Sequence, residues 1–335
     1  MTRAAPSAGR VRRIRRALLA WYAEHGADVP WRPAEGRPGD PYAALVAAVC
    51  AQQTPMARVL PLYERWMAAL PTLADAARAS RAEALRLWGD AGYPRRAVAI
   101  REAARLVVRE HGGELPREEA VLLALPGVGP FTAAIVRCFG YGEQVAAVDV
   151  NVVRVLGRAV LGELEPVASL PAACAEALAE RMLPPGEAER WNPALMDLGA
   201  MVCRARPRCN ACPLARLCAA RAGIARGERA AAPRRQAPYE GSDRQWRGRI
   251  LRALREHAAG AEVDDARPSL AVRTLVTRLA ATLEERARVR RLLLALAAEG
   301  LAWRGGGRCG LGEAPVVRES ARERRATLKR PRVQD

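Results

Sequence analysis

Aromatic residues make up only 4% of this 335-residue chain, and phenylalanine occurs twice. The core must therefore be assembled mainly from alanine, leucine and valine, a composition that favours helices. Lysine is nearly absent: Lys329 is the only one. No apolar run approaches the roughly 20 residues needed to span a bilayer, which excludes a membrane-spanning helix. Arginines stand at positions 3, 10, 12, 13, 15 and 16, but neither an apolar core nor a cleavage site follows them. No secretion signal is therefore expected. Segments of clear strand alternation are also missing before residue 300, so the main body is expected to be all-α.

What is present in excess is positive charge. Lys and Arg total 54 against 36 Asp and Glu, a formal net charge of +18. Codon bias explains arginine over lysine, but not the excess of bases over acids. A polyanionic partner is expected, nucleic acid ahead of an acidic membrane surface. Half the chain is hydrophobic, and its length accommodates two domains with cores of their own.

Helical periodicity runs through residues 10–25, 41–53, 56–70, 80–90, 94–111 and 117–124, punctuated by Pro71, Gly92 and Gly112-Gly113. Residues 1–13 read as a basic arm and 14–222 as the main domain. Residues 223–242 are a polar, basic linker, 243–315 a small second domain, and 316–335 a basic disordered tail. In the second domain one helix carries Trp246, Ile250, Leu251 and Leu254. A second lies near 269–281, a third near 283–299, and LAWRGGGRCGLG can form a hairpin. Three helices and a hairpin suggest a winged helix.

Three motifs carry chemistry. In LPGVGPFTAAIVRCF (125–139), Gly127 and Gly129 permit a tight turn and Pro130 opens the next helix. The amides of Gly127, Val128 and Gly129 at that helix start can hold a phosphate without reading sequence. In AVDVNVVRVLGR (147–158), Asp149 can cap the helix beginning near Asn151. The third motif is Cys203-x5-Cys209-x2-Cys212-x5-Cys218. Four thiolates so close imply a metal, and zinc or an iron–sulfur cluster satisfies the spacing equally well. The other cysteines, Cys50, Cys138, Cys174 and Cys309, are scattered in apolar contexts, which is unlike a secreted disulfide scaffold.

L-P-G-V-G followed by V-D-x-N-V-x-R-V resembles the helix-hairpin-helix, endonuclease III-like DNA glycosylases. WYAEHGADVPWR (21–32), AQQTP (51–55), WGDAGYPRRA (88–97) and DLGAMVC (197–203) resemble the MutY-type adenine DNA glycosylases over residues 14–222. GSDRQWRGRILRALR (241–255) resembles the C-terminal extension of a short actinobacterial form. The resemblance implies a helix-hairpin-helix glycosylase fold with a [4Fe-4S] cluster on Cys203, Cys209, Cys212 and Cys218. It implies that Asp149, supported by Asn151, carries cleavage, because a fixed carboxylate stabilises the positive charge that develops on the sugar. It assigns Gln53 and Tyr93 to probing or wedging the duplex beside an extruded base. The implied partner is double-stranded DNA with a mismatched or damaged base, met by a monomer in the nucleoid of a bacterial cytoplasm.

Two departures bear on the chemistry. The family's glutamate four residues before Q-Q-T is Ala48 here, and no carboxylate lies between Asp40 and Glu64. The position of the family's Ser or Tyr, and of the Schiff-base lysine of bifunctional relatives, is Phe131, so no lyase activity is expected. The first cysteine gap is also one residue shorter than the family's six. The leading expectation is a monofunctional glycosylase of base-excision repair that hydrolyses adenine from mispairs with guanine or 8-oxoguanine. Two alternatives stand beside it. One is a glycosylase for another base, an alkylated purine or mismatched pyrimidine, working with Asp149 alone. The other is a catalytically inactive lesion-binding protein.

Overall fold

The computed structural model describes residues 6–34, 39–228, 238–259 and 268–314. Arg3, Lys329, the basic tail from 316 and much of the linker lie outside the described residues. Helices follow in the order α1 (Ala8–His25), α2 (Pro41–Ala51), α3 (Met56–Ala69), α4 (Leu73–Arg78), α5 (Arg81–Trp88), α6 (Arg95–Glu110), α7 (Glu119–Ala124) and α8 (Pro130–Ile135). They continue with α9 (Val150–Leu156), α10 (Pro166–Ser169), α11 (Ala172–Met182), α12 (Ala188–Met201), α13 (Arg221–Ala225), α14 (Asp243–Ala259), α15 (Val272–Leu279) and α16 (Leu283–Ala298). The strands are β1 (Leu270–Ala271), β2 (Ala302–Gly305) and β3 (Arg308–Leu311). The chain forms two compact units, Met1–Ala79 with Tyr93–Ala237, and Ser80–Gly92 with Pro238–Asp335.

In the first unit, α2 is apolar on every face and is buried from Tyr42 to Cys50, as a helix without a polar stripe must be. Asp40 caps it, accepting from the Tyr42 and Ala43 amides at 2.8 and 3.2 Å. A single apolar cluster joins Ile14 and Leu18 of α1, Val152 and Val155 of α9, and Trp191 and Leu195 of α12. Both α8 and α9 run on into a π-helical turn, Val136–Gly140 and Gly157–Leu161. Within the segment read as a basic arm, α1 already begins at Ala8. Arg10 donates to the carbonyls of Ala159 at 2.8 Å and Leu217 at 3.0 Å, and Arg15 to Met182 at 2.9 Å and Leu183 at 2.8 Å. These two arginines tie α1 to the 157–161 turn, the loop at Leu217 and the end of α11.

The N-terminal VPWR segment is locked by a buried ion pair. Arg32 donates through both terminal nitrogens to Asp197 at 2.8 Å each, and the Ala27 amide adds a third bond at 3.0 Å. Both side chains are under 10% exposed, at 7% and 8%. Trp31 packs edge-on against Tyr63 with ring centres 4.8 Å apart.

The second unit follows an α14–β1–α15–α16–β2–β3 order, preceded by α5. Its antiparallel sheet is ordered β1-β3-β2, with Leu270 opposite Cys309 and Trp303 opposite Gly310. Trp246, Ile250, Leu254, Leu293 and Leu296 are among its buried residues. Strand β1 precedes residue 300 and was not foreseen: two residues leave no alternation for a sequence pattern to display. Thr282 and Glu285 form a reciprocal capping box that starts α16.

Candidate functional site

The hairpin between α7 and α8 is built as its glycines dictate. Gly127 adopts φ +78°, and a Cβ there would stand 2.7 Å from that of Ala99, so both conformation and space require glycine. The Val128 amide closes the turn on Leu125 O at 3.2 Å, and the Ala133 amide reaches Gly129 O at 2.9 Å. Gly129 caps α8 and Pro130 occupies its first turn. Gly127 is exposed while Val128 is buried, its amide already committed to Leu125 O.

Gln53 and Tyr93 are the non-glycine residues with positive φ among the described residues, at +50° and +46°. Such a conformation costs a side-chain-bearing residue roughly 1–3 kcal/mol and is held only when the surroundings enforce it. Here they do. The Tyr93 hydroxyl donates to Gln53 Oε1 at 3.0 Å. The Arg96 guanidinium lies 4.3 Å from the Tyr93 ring centre and donates to Gln52 O and, at 3.4 Å, to Thr54 Oγ1. Gln52 Nε2 reaches Thr132 Oγ1 at 3.3 Å and Gly127 O at 3.5 Å. The end of α2, the start of α6 and the hairpin are thus one hydrogen-bonded group, with Tyr93 51% exposed.

Asp149 sits at the N-cap of α9. Its Oδ1 accepts from the Asn151 and Val152 amides at 2.9 and 2.8 Å, and its Oδ2 from Asn151 Nδ2 at 2.6 Å. Burial raises the carboxyl above its ordinary value, against the opposing pull of those hydrogen bonds and the Arg154 charge. Arg154 continues the chain, donating to Asn151 Oδ1 at 2.5 Å, Gly199 O at 3.0 Å and Cys203 O at 2.6 Å. Gly199 permits this, since a Cβ there would lie 2.5 Å from that of Asn151. One turn on, fully buried Arg158 donates to Arg204 O at 2.6 Å and faces Cys203 Sγ at 3.7 Å.

Cys203, Cys209, Cys212 and Cys218 line one recess together with Arg158, Val202 and Ile224. Burial pushes the Cys212 thiol up to about 11 and raises Cys218 as well. Among the described residues no three His, Cys, Asp or Glu side chains come together closely enough to share one ion. Arg204, Arg206 and Arg208, between the first two cysteines, are exposed.

The site residues therefore fall into two bonded groups, Gln53–Tyr93 with the hairpin, and Asp149–Asn151 with the cysteine loop. Ala48 is 4% exposed in the apolar cluster against which Phe131 and Val148 also pack. Asp40 is occupied as the cap of α2, and Glu64 lies exposed on α3. Sequence reasoning missed Gln52, Arg96, Arg154 and Asn192. Asn192, 1% exposed, accepts from the Ala147 amide at 3.0 Å and donates to Val145 O at 2.9 Å, fixing the strand-like run into Asp149. A polar amide within the apolar stretch of α12 was the available signal.

An adenine DNA glycosylase of Mycobacterium tuberculosis is 45% identical over 242 residues, covering 71% of this chain and 77% of the relative. The chain belongs to the adenine DNA glycosylase family. The profile of the HhH-GPD superfamily base excision DNA repair proteins matches residues 46–168, which hold the hairpin, Gln53, Tyr93 and Asp149. A thymine/uracil-DNA glycosylase of Methanothermobacter thermautotrophicus is 32% identical over 203 residues, 60% of this chain and 90% of that one. The solved structure of a thermostable thymine-DNA glycosylase superposes with a TM-score of 0.57 at 28% identity, covering 64% of this chain and 98% of the other. This adenine DNA glycosylase-family chain accordingly has the mostly helical HhH-GPD fold, with a small C-terminal sheet in its second unit. Among its described residues no helix is long and apolar enough to cross a membrane.

Proposed function

We propose that the protein is a monofunctional DNA glycosylase of base-excision repair, hydrolysing adenine from mispairs with guanine or 8-oxoguanine in duplex DNA. The observation that carries this reading is Asp149, a half-buried carboxylate immobilised at the start of α9 in a chain of this family. As the glycosidic bond lengthens, charge builds on the sugar. A carboxylate already fixed by two amides and Asn151 needs no reorganisation to stabilise it. It also orients the attacking water. The hairpin amides hold a phosphate, while Gln53 and Tyr93 occupy the space left by the extruded base. Phe131 leaves no amine for an imine, so no strand-cleaving lyase step follows.

Cys203, Cys209, Cys212 and Cys218 line one recess, and a set of four thiolates suits the [4Fe-4S] cluster that the family resemblance implies. Such a cluster would cross-link the loop and supply no step of the hydrolysis. Cys203, Cys209, Cys212 and Cys218 would hold it, and Arg154 and Arg158 tie that loop to α9. The α14–β1–α15–α16–β2–β3 order and the three-stranded antiparallel sheet support reading the second unit as a winged helix.

Ala48 favours a second reading. A positioned general acid is typically worth 10²–10⁴ in rate, about 3–5 kcal/mol, and adenine leaves poorly unless protonated. An apolar Ala48 and Phe131 suit a base that leaves without help, an alkylated purine or a mismatched pyrimidine. A single-turnover assay decides among these. Duplexes carrying adenine opposite 8-oxoguanine are run beside uracil, thymine-mismatch, hypoxanthine and methylated-purine duplexes, with alkali revealing abasic sites. Adenine release abolished by Asp149→Asn supports the first reading. Release of another base alone replaces it with the second. Binding with no release at all leaves a lesion-binding protein.

A further inference from the structure

Residues 80–92 belong to the second unit, and the chain passes into the first unit directly at Tyr93. Helix α5 buries Ala84, Leu85 and Trp88 to 1% exposure or less. Arg81 pairs with Glu313 at 3.5 Å. After α5 the backbone turns sharply, with Gly89 and Gly92 at φ +61° and +82°. The turn is held from two sides. Trp88 Nε1 donates to Gly92 O at 2.6 Å. Asp90 is gripped by two arginines of α14, Arg252 at 3.1 Å and Arg255, whose side chain is only 13% exposed. Arg252 and Arg255 are three residues apart and so share a helix face.

We infer that Asp90, Arg252 and Arg255 are positioning residues for Tyr93: their ion pairs fix the 89–92 turn, which runs by the next peptide bond into Tyr93. The inference rests on the reading of Tyr93 as the duplex wedge. No energy is added at the reacting atoms. A wedge residue held in a left-handed conformation needs a rigid anchor on each side. On the C-terminal side Arg96 supplies one by stacking on the ring. On the N-terminal side the two α14 arginines supply the other. Asp90, Arg252 and Arg255 are positioning residues.

The test uses the full chain and a duplex with 2-aminopurine beside the target base, whose fluorescence reports extrusion. Duplex affinity and melting temperature are measured in parallel. Asp90→Ala and Arg255→Ala are expected to lower the extrusion rate about threefold to tenfold, the range open to a partly exposed ion pair shared by two arginines, with duplex affinity unchanged. Arg252→Ala, at an exposed position that does not threaten folding, is expected to give a smaller loss in the same direction. In a Tyr93→Ala background, Asp90→Ala should add nothing, which a merely structural role would not produce. The inference is overturned if Tyr93→Ala impairs extrusion while Asp90→Ala and Arg255→Ala do not, or if the Asp90 and Tyr93 effects add independently. If Tyr93→Ala itself leaves extrusion intact, the wedge reading fails first and the inference with it.

Discussion

The Tyr93 hydroxyl donates to Gln53 Oε1 at 3.0 Å, and both residues hold a left-handed backbone, one following α2 and the other just ahead of α6. Two strained residues bonded to each other form a prestressed pair that is settled before the duplex arrives. Tyr93→Gly and Gln53→Gly are each expected to relieve about 1 kcal/mol or more of strain, offset by the lost side-chain contacts. Melting temperature should therefore hold or rise while single-turnover release falls about tenfold or more. Calorimetry and the abasic-site assay on the same preparations check this; a parallel fall in both would make the pair structural.

Asp149→Asn keeps a good cap for α9 and removes the charge. Activity is expected to drop about 10²–10⁴-fold, and stability should not drop with it. The sign follows from burial: the folded-state pKa is raised above the unfolded value, so the native state binds protons more tightly. Stability is then favoured below the unfolded pKa and declines as pH rises towards the folded one. At neutral pH the ionised carboxylate is a cost that asparagine does not carry. Activity runs the other way, because the ionised form does the work. The acid limb of kcat/KM should lie above that of an ordinary aspartate and vanish in the variant.

Asp197→Ala leaves Arg32 charged and buried without its bidentate partner. Breaking such a pair from one side costs about 3–5 kcal/mol, and urea denaturation should show it. Replacing both residues with apolar side chains of similar volume should recover much of that loss. Pro-Trp-Arg in the N-terminal loop and the Asp of DLGA thus act on stability rather than on chemistry.

Iron and acid-labile sulfide analysis of the purified chain is expected to return about four of each. Cys212→Ser should lower both and weaken duplex binding in a salt-dependent way, since Arg204, Arg206 and Arg208 lie on that loop. One equivalent of zinc would instead establish the mononuclear alternative.

Ala48→Glu puts a carboxyl back at the family position. Adenine release is expected to rise about tenfold or more, read in the single-turnover assay. A misfolded protein would show that Ala48 belongs wholly to the core, where an unpaired carboxyl is costly.

Most of the helices were legible because their apolar spacing and their Pro and Gly boundaries are local properties. The same holds for the hairpin, whose Gly127 conformation is required by the turn itself, and for Asp149 as a cap, since its partners are two and three residues away. The shared recess of the four cysteines follows from their close spacing for the same reason. Tertiary structure decided what local pattern does not encode. Gln52 meets Thr132, Asn192 meets Ala147 and Arg154 meets Cys203 across 45–80 residues of chain. Partners so distant are chosen by packing, not periodicity. The segment 80–92 has the pattern of any amphipathic helix, yet it packs with the C-terminal unit. Sequence determined which elements form and which chemistry they can carry; packing determined which of them are held together.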